Sequence, residues 1–134
     1  MNITRILTIA SSAIVVIAVV AGLYLSGSPG EQRLLRLDER RVSDLLQLSY
    51  TISNYWDETS RLPAELAALV DGQRLRSVPQ DPQSGAAYTY EISDVDTYRL
   101  CAEFARASLQ RVPSDFWAHP AGSYCFELSV TPDR

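Results

Sequence analysis

The first hydrophobic feature of the chain is an uncharged run from Ile6 to Leu25, which directly follows Arg5. About twenty apolar residues in helical form are enough to cross the hydrocarbon core of a bilayer. A cleaved secretory signal usually has an apolar region of roughly 7–15 residues that ends at a small-x-small site. Here the nearest such site is Ser26-Gly27-Ser28, and Pro29 follows it unfavourably. The pattern favours an uncleaved anchor within residues 1–25, preceded by a short cytoplasmic stub. A cleaved signal peptide and a buried core helix are the alternatives.

A break and a second helix follow the anchor. Residues 26–30 read Ser-Gly-Ser-Pro-Gly, a composition that disfavours helix and predicts a short flexible tether. A second helix is expected to begin near Glu31, because apolar residues then recur at steps of three and four. They gather on about half of the helix surface, so this helix is predicted to pack on another element of a domain that spans residues 31–134. The residues are Leu34, Leu37, Val42, Leu45, Leu46, Leu48, Ile52, Tyr55 and Trp56.

Alternation with a period of two predicts three strands in the second half of this domain. Apolar and polar residues alternate over Tyr88 to Ile92, Arg99 to Phe104 and Tyr124 to Leu128. A short helix from Pro63 to Val70 and a proline-containing loop at 78–85 are predicted before them. Three short strands alone are barely stable. The predicted fold is therefore α+β, with an N-terminal transmembrane helix and then an amphipathic helix packed on a small antiparallel three-stranded sheet.

The two cysteines of the chain, Cys101 and Cys125, fall on the polar face of the second and third predicted strands. Each stands opposite the apolar set of its own strand, so both sulfurs lie on the same outer side if the strands are neighbours. Two cysteines with no His or Cys partner nearby do not make a zinc site, and no C-x-x-C motif is present. We therefore predict a structural disulfide, which stabilises by about 3–4 kcal/mol in the chain-entropy model.

Charge and composition limit the classes of partner and reaction. The chain has 134 residues, a net charge of −4 and a pI near 4.9, which argues against a nucleic-acid-binding surface. Every basic residue is arginine, which we interpret as the mark of a GC-rich bacterial genome. The sequence has no Gly-rich phosphate loop, no H-E-x-x-H and no G-x-S-x-G motif. It therefore predicts a non-enzymatic domain with no cofactor and no metal.

His119 is the single histidine of the chain and the first residue to test for a catalytic role. A general base needs a nucleophile and an orienting partner close to it. Ser114, Asp115 and Ser123 are near in sequence, but no nucleophile motif surrounds them. We interpret His119 as a loop residue that packs near Trp117.

Acidic and aromatic loop residues give two further hypotheses. Asp94 and Asp96 could offer oxygens to calcium, but a calcium site needs six or more ligands. The turn-forming role of aspartate explains the same two residues. Most of the aromatic residues are expected in the helix–sheet core, where Tyr and Trp keep a polar edge near water. Phe116 and Trp117 are the hypothesis for an interaction patch that binds a protein partner.

Two signals disagree about the side of the membrane on which the domain lies. Arg5 precedes the anchor, whereas Arg33, Arg36, Arg40 and Arg41 follow it, and counting arginines favours a cytoplasmic domain. The rule is reliable only for short loops, and a disulfide belongs to an oxidising compartment. We expect the N-terminus in the cytoplasm and the domain in the periplasm or outside.

An ordered set of segments resembles the globular part of type II secretion pseudopilins and related type IV pilin-like proteins. The set spans roughly residues 38–104: Asp44 to Tyr55 in the amphipathic helix, then Arg61-Leu62-Pro63-Ala64-Glu65-Leu66, Val78-Pro79-Gln80-Asp81-Pro82, Ala87-Tyr88-Thr89-Tyr90 and Tyr98-Arg99-Leu100. The resemblance implies a helix packed on an antiparallel hairpin. Pilin-like precursors also carry a glycine before the apolar segment and a glutamate five residues into the mature helix, and neither occurs here.

These observations predict a single-pass protein of the bacterial inner membrane, held in the lipid bilayer through residues 6–25. Its extracytoplasmic domain is expected to act without catalysis, by contact with another envelope protein. A minor pseudopilin of a type II secretion or pilus-like system is one alternative. A membrane-tethered module that binds a ligand or an ion is the other.

Overall fold

The computed structural model describes residues 2–25, 28–73, 75–108 and 116–131. The chain divides into two compact units, Met1–Arg33 and Leu34–Arg134. In the first unit, helix α1 runs over Ile3–Leu25, and none of its residues is buried. The uncharged run that begins at Ile6 is therefore helical throughout, as predicted.

Helix α2 runs over Pro29–Thr59 and begins two residues before the predicted start. The Oγ of Ser28 accepts a hydrogen bond from the backbone N–H of Glu31 at 3.3 Å, which satisfies one of the free donors of the first turn. Proline suits the first helical position because the N–H that it lacks would have no partner there. Pro29 and Gly30 are thus helical and do not belong to the predicted tether. Ser26 and Gly27 lie outside the described residues.

The segment after α2 is less helical than the sequence suggested. Only Leu66–Leu69 form a single 3₁₀ turn, within the predicted helix from Pro63 to Val70. Glu65 is extended (φ −152°, ψ 159°), and the carbonyl of Pro63 accepts a hydrogen bond from the hydroxyl of Tyr90 at 2.9 Å. The Pro63 carbonyl is therefore bonded to a tyrosine of the sheet. The turn itself buries Leu66 and Leu69 in the core.

The sheet has three antiparallel strands in the order β1-β2-β3, with β1 at Thr89–Ile92, β2 at Thr97–Phe104 and β3 at Gly122–Ser129. One face of the sheet packs with the inner face of α2 around a core of buried apolar side chains. The largest contributors are Leu45, Leu48 and Ile52 from the helix and Tyr98, Leu100, Phe104 and Phe126 from the sheet. The predicted α+β fold, a helix packed on three antiparallel strands, is confirmed.

Candidate functional site

Helix α1 is the first candidate surface, because its exposed residues from Ile6 onward are uncharged and mostly apolar. Its most hydrophobic 18-residue window has a mean hydropathy of 2.6, and none of that window is buried. By length and composition it is the single helix in the described part of the chain that could cross a membrane.

A buried group of charges, which we call the ion cluster, joins Asp38, Arg41 and Asp81. These three residues are 3%, 3% and 8% exposed. The Nε of Arg41 donates to Asp81 Oδ2 at 2.5 Å and its Nη2 donates to Asp81 Oδ1 at 3.2 Å, while its Nη1 donates to Asp38 Oδ1 at 2.7 Å. The guanidinium therefore binds one carboxylate through two atoms and bridges it to the other.

The carboxylates of the ion cluster also hold the backbone of two loops. Asp38 accepts hydrogen bonds from the backbone N–H groups of Ala105 and Arg106 at 2.9 and 2.8 Å, just beyond the end of β2. Asp81 accepts them from the N–H groups of Gln83 and Ser84 at 2.9 and 2.8 Å. The ion cluster thus ties α2, the turn that begins at Asp81 and the end of β2 together. Asp81 therefore accepts hydrogen bonds both from Arg41 and from the backbone of its own turn.

The charges of the ion cluster stabilise each other in the ionised form. Hydrogen bonds from Arg41 hold the pKa of the Asp81 carboxyl well below its usual range, and hydrogen bonds to Asp81 raise the pKa of Arg41. Sequence reasoning placed Asp81 in a turn but did not find the role of Asp38 and Arg41. One signal was present: residues 38, 41, 45, 48 and 52 follow the three-four spacing of the buried helix face. Two charged residues on that stripe indicate a buried ion pair.

Tyrosines of the sheet also contribute to the helix–sheet interface, and two of them donate hydrogen bonds to specific acceptors. The hydroxyl of Tyr88 donates to Asp44 Oδ2 at 2.8 Å. Burial raises the pKa of Tyr90 to about 12, and burial also raises the pKa of Tyr88 and of Tyr98. All three remain neutral near pH 7; Tyr88 and Tyr90 act as hydrogen-bond donors, and Tyr98 contributes buried core surface. This agrees with the expectation that most of the aromatic residues lie in the core.

The structure separates the two residues of the predicted interaction patch. Trp117 is half-buried and packs on the core, with its ring 4.8 Å from that of Phe126. Phe116 is 56% exposed, and its ring lies 5.4 Å from Trp117 and 6.1 Å from Phe126. Tyr124, which is 37% exposed, also contacts Phe126, at 5.0 Å. The exposed aromatic surface is therefore formed by Phe116 and Tyr124, on a base of Trp117 and Phe126.

His119 is 7% exposed and stacks on Phe104, with ring centroids 3.6 Å apart and planes inclined by 17°. Its Nδ1 lies 3.2 Å from the carbonyl oxygen of Pro120. The hydroxyl of Ser108 contacts the backbone N–H and carbonyl of His119 rather than its ring. Ser114 and Asp115 lie outside the described residues. The interpretation of His119 as a packed loop residue fits this environment, although its neighbour in the stack is Phe104.

The predicted disulfide between Cys101 and Cys125 is present. The two residues are direct partners in the β2–β3 register, with their Cα atoms 4.0 Å apart. They lie on the sheet face that α2 does not cover, in line with Arg99, Glu103 and Glu127. On the same face, the guanidinium of Arg99 forms an exposed ion pair with the carboxylate of Glu91.

Asp94 and Asp96, the two possible calcium ligands from the sequence, are held by local hydrogen bonds. Asp94 and Asp96 form the β1–β2 turn, where Asp94 Oδ1 accepts the N–H of Val95 and Asp96 accepts the hydroxyls of Thr97 and Thr131. Among the described residues, no group of three or more His, Cys, Asp or Glu side chains is arranged to hold a metal ion. A groove of about 160 Å³ lies between the Asp81 turn and β2, lined on one side by Tyr88 and on the other by Glu103.

Comparison with protein-family models, with curated proteins and with solved structures finds no significant match to this chain. The long apolar N-terminal helix and the small antiparallel sheet are established by the structure itself. Neither the comparisons nor these elements show membership of the pilin-like family.

Proposed function

We propose that this protein is a single-pass component of the bacterial inner membrane whose domain lies on the extracytoplasmic side. The domain acts without catalysis, by binding another envelope protein. The apolar helix α1 supports the membrane location, because it is long enough to span the hydrocarbon core. The disulfide supports the side, because disulfides form and persist in oxidising compartments.

The exposed aromatic pair Phe116 and Tyr124 carries the proposal of protein binding. Both rings rest on Phe126, which is only 3% exposed, so the pair is supported from below by the core. Aromatic side chains on a rigid base lose little conformational entropy on binding and are enriched among the residues that dominate interface energy. An exposed aromatic pair that is already ordered favours a protein surface as its partner.

Photo-crosslinking in cells tests this binding surface. A photoreactive phenylalanine analogue is placed at Phe116 or, as a matched control, at Val95, an apolar residue that is 76% exposed in the β1–β2 turn. We expect a discrete protein adduct from position 116 and none from position 95. Adducts of equal yield at both positions, or none at position 116, would contradict the proposal.

Paired substitutions then separate binding from folding. Trp117→Ala removes a ring that packs on Phe126, and we expect it to lower the free energy of unfolding by about 2–4 kcal/mol. Phe116→Ser changes an exposed side chain, and we expect stability to stay within about 0.5 kcal/mol of the parent, while a photoreactive residue placed at Tyr124 loses its protein adduct. Urea unfolding of the full chain in detergent measures both. Equal destabilisation by the two changes would place Phe116 in the core.

A minor pseudopilin is the second candidate, and one observation favours it. A helix packed on a three-stranded antiparallel meander is the arrangement that the pilin-like resemblance implies. Mass spectrometry of the N-terminus of the protein isolated from cells separates the two candidates. The leading proposal predicts that Arg5 stays attached to the apolar helix. Removal of the residues before that helix would favour the pseudopilin.

A further inference from the structure

The side of α2 that points away from the core carries exposed residues which the proposed function leaves without a role. Residues 36, 40, 43, 47 and 50 recur at steps of three and four, so they form one stripe along the helix. Arg36 and Arg40 are exposed at the start of the stripe. Further along, Tyr50 is 71% exposed, and beside it Leu46 is 45% exposed. We call three exposed residues of this stripe, Arg36, Arg40 and Tyr50, together with the neighbouring Leu46, the outer stripe.

Charge is distributed unevenly between this end of the helix and the rest of the domain. Residues 42–134 hold seven arginines against thirteen acidic residues, whereas residues 31–41 hold four arginines against three. Asp38 and Arg41 are buried against each other, so they contribute little to the surface. Glu39 is the exposed acid between Arg36 and Arg40, and the two arginines outweigh it. An anionic surface is therefore attracted to the start of α2 and repelled by the remainder of the domain.

The position of the outer stripe in the chain identifies that surface. Arg36 follows the end of α1 by only 11 positions. Arginine can extend its charge to lipid phosphates, while leucine and tyrosine favour the boundary between headgroups and acyl chains.

We propose that the outer stripe binds anionic phospholipid headgroups. The proposal rests on the membrane location in the proposed function. It uses none of the residues of the exposed aromatic pair, so the domain can bind lipid and a protein partner through separate surfaces.

Lipid photo-crosslinking of the full chain in nanodiscs tests the outer stripe. The discs contain phosphatidylcholine alone or mixed with phosphatidylglycerol, and each holds a trace of phospholipid with a diazirine on its headgroup. Adducts are mapped by mass spectrometry after digestion with a protease that does not cut at arginine. Each arginine at an anionic surface gives about a five-fold preference. Two arginines together give about 25-fold, and Glu39 offsets about one of them, so we expect phosphatidylglycerol to raise the adduct yield over residues 36–50 by about five-fold to 25-fold.

Matched variants show whether the arginines cause this difference. Arg36→Gln/Arg40→Gln should remove the preference for phosphatidylglycerol, whereas Arg61→Gln/Arg76→Gln should retain it, since that control changes two other exposed arginines. Equal yields in the two lipids would overturn the proposal, as would adducts that stop before Arg36.

A carbonate wash of membranes separates failure of this inference from failure of the proposed function. Release of the chain by the wash would refute the membrane location itself. Retention of the chain without lipid adducts on residues 36–50 would refute the outer stripe alone.

Discussion

Strand β2 is held to its surroundings by two links of different chemistry. The ion cluster of Asp38, Arg41 and Asp81 fastens the end of the strand to α2 through buried charges and backbone hydrogen bonds. The Cys101–Cys125 disulfide fastens the middle of the strand to β3 on the face that α2 leaves uncovered. One link is reversible and depends on three side chains at once. The other is covalent and joins one of the eight residue pairs of the β2–β3 ladder.

The two links act on different states of the protein. Removal of one member of the ion cluster leaves the others buried and unpaired in the folded protein, which is a cost to the native state. Removal of the disulfide leaves the sheet contacts intact, and its cost comes mainly from the greater freedom of the unfolded chain. The ion cluster is therefore the more sensitive to single substitutions.

The largest effect is expected from Arg41→Ala, because it leaves two buried carboxylates without their shared cation. The free energy of unfolding should fall by about 3–5 kcal/mol in urea titrations of the full chain in detergent. Arg41→Lys keeps the charge but not the two-atom contact with Asp81, so its loss should be intermediate. A loss below about 1 kcal/mol for Arg41→Ala would contradict a structural role for the ion cluster.

The double change Cys101→Ala/Cys125→Ala should lower stability by about 3–4 kcal/mol, the chain-entropy value for a loop of this length. The ladder between β2 and β3 should persist, which amide hydrogen exchange can follow. Iodoacetamide labelling of the unreduced, denatured parent protein is the direct control. Two labelled thiols would show that the bond does not form in the cell.

Acid should weaken the ion cluster but not the disulfide. Hydrogen bonds from Arg41 lower the pKa of Asp81 from its ordinary value of 3.8. The folded-state value lies below the unfolded one, so this contribution is complete above pH 3.8 and is lost as the pH falls through the folded-state value. Asp81→Asn should therefore show a shallower loss of stability below about pH 4 than the parent. Parallel curves for the two proteins would refute the ionised pair.

The smallest effect is expected from Arg99→Gln, which breaks the ion pair with Glu91 on the uncovered face of the sheet. Both side chains are 48% exposed, and exposed pairs contribute less than about 1 kcal/mol. Stability should change by no more than about 0.5 kcal/mol in the same urea titrations. A loss as large as that of Arg41→Ala would show that burial does not distinguish the two ion pairs.

Sequence patterns predicted the parts of the fold in which periodicity and burial coincide. Alternation located the three strands, and its parity placed Cys101 and Cys125 on the same outer face, where they are direct partners. The three-four spacing located α2. The start at Pro29 was missed because glycine and proline were interpreted as helix breakers, although Ser28 caps the first turn.

The ion cluster and the aromatic surface could not be derived in the same way. Hydrophobic periodicity assigns charged residues to the solvent, so Arg41 was counted with the arginines that follow the anchor rather than with the core. Phe116 and Trp117 are adjacent in a turn, where no period tells which side chain faces inward. Their separation depends on contacts with Phe126, from a strand that follows them in the chain.

We propose that α1 anchors the disulfide-bonded domain on the extracytoplasmic side of the membrane. Fusion of alkaline phosphatase after Arg134 tests it most directly, because that enzyme becomes active only where its own disulfides form. We expect an active fusion that stays in the membrane fraction. An inactive fusion, made in normal amount and retained in the membrane, would place the domain in the cytoplasm and refute this topology.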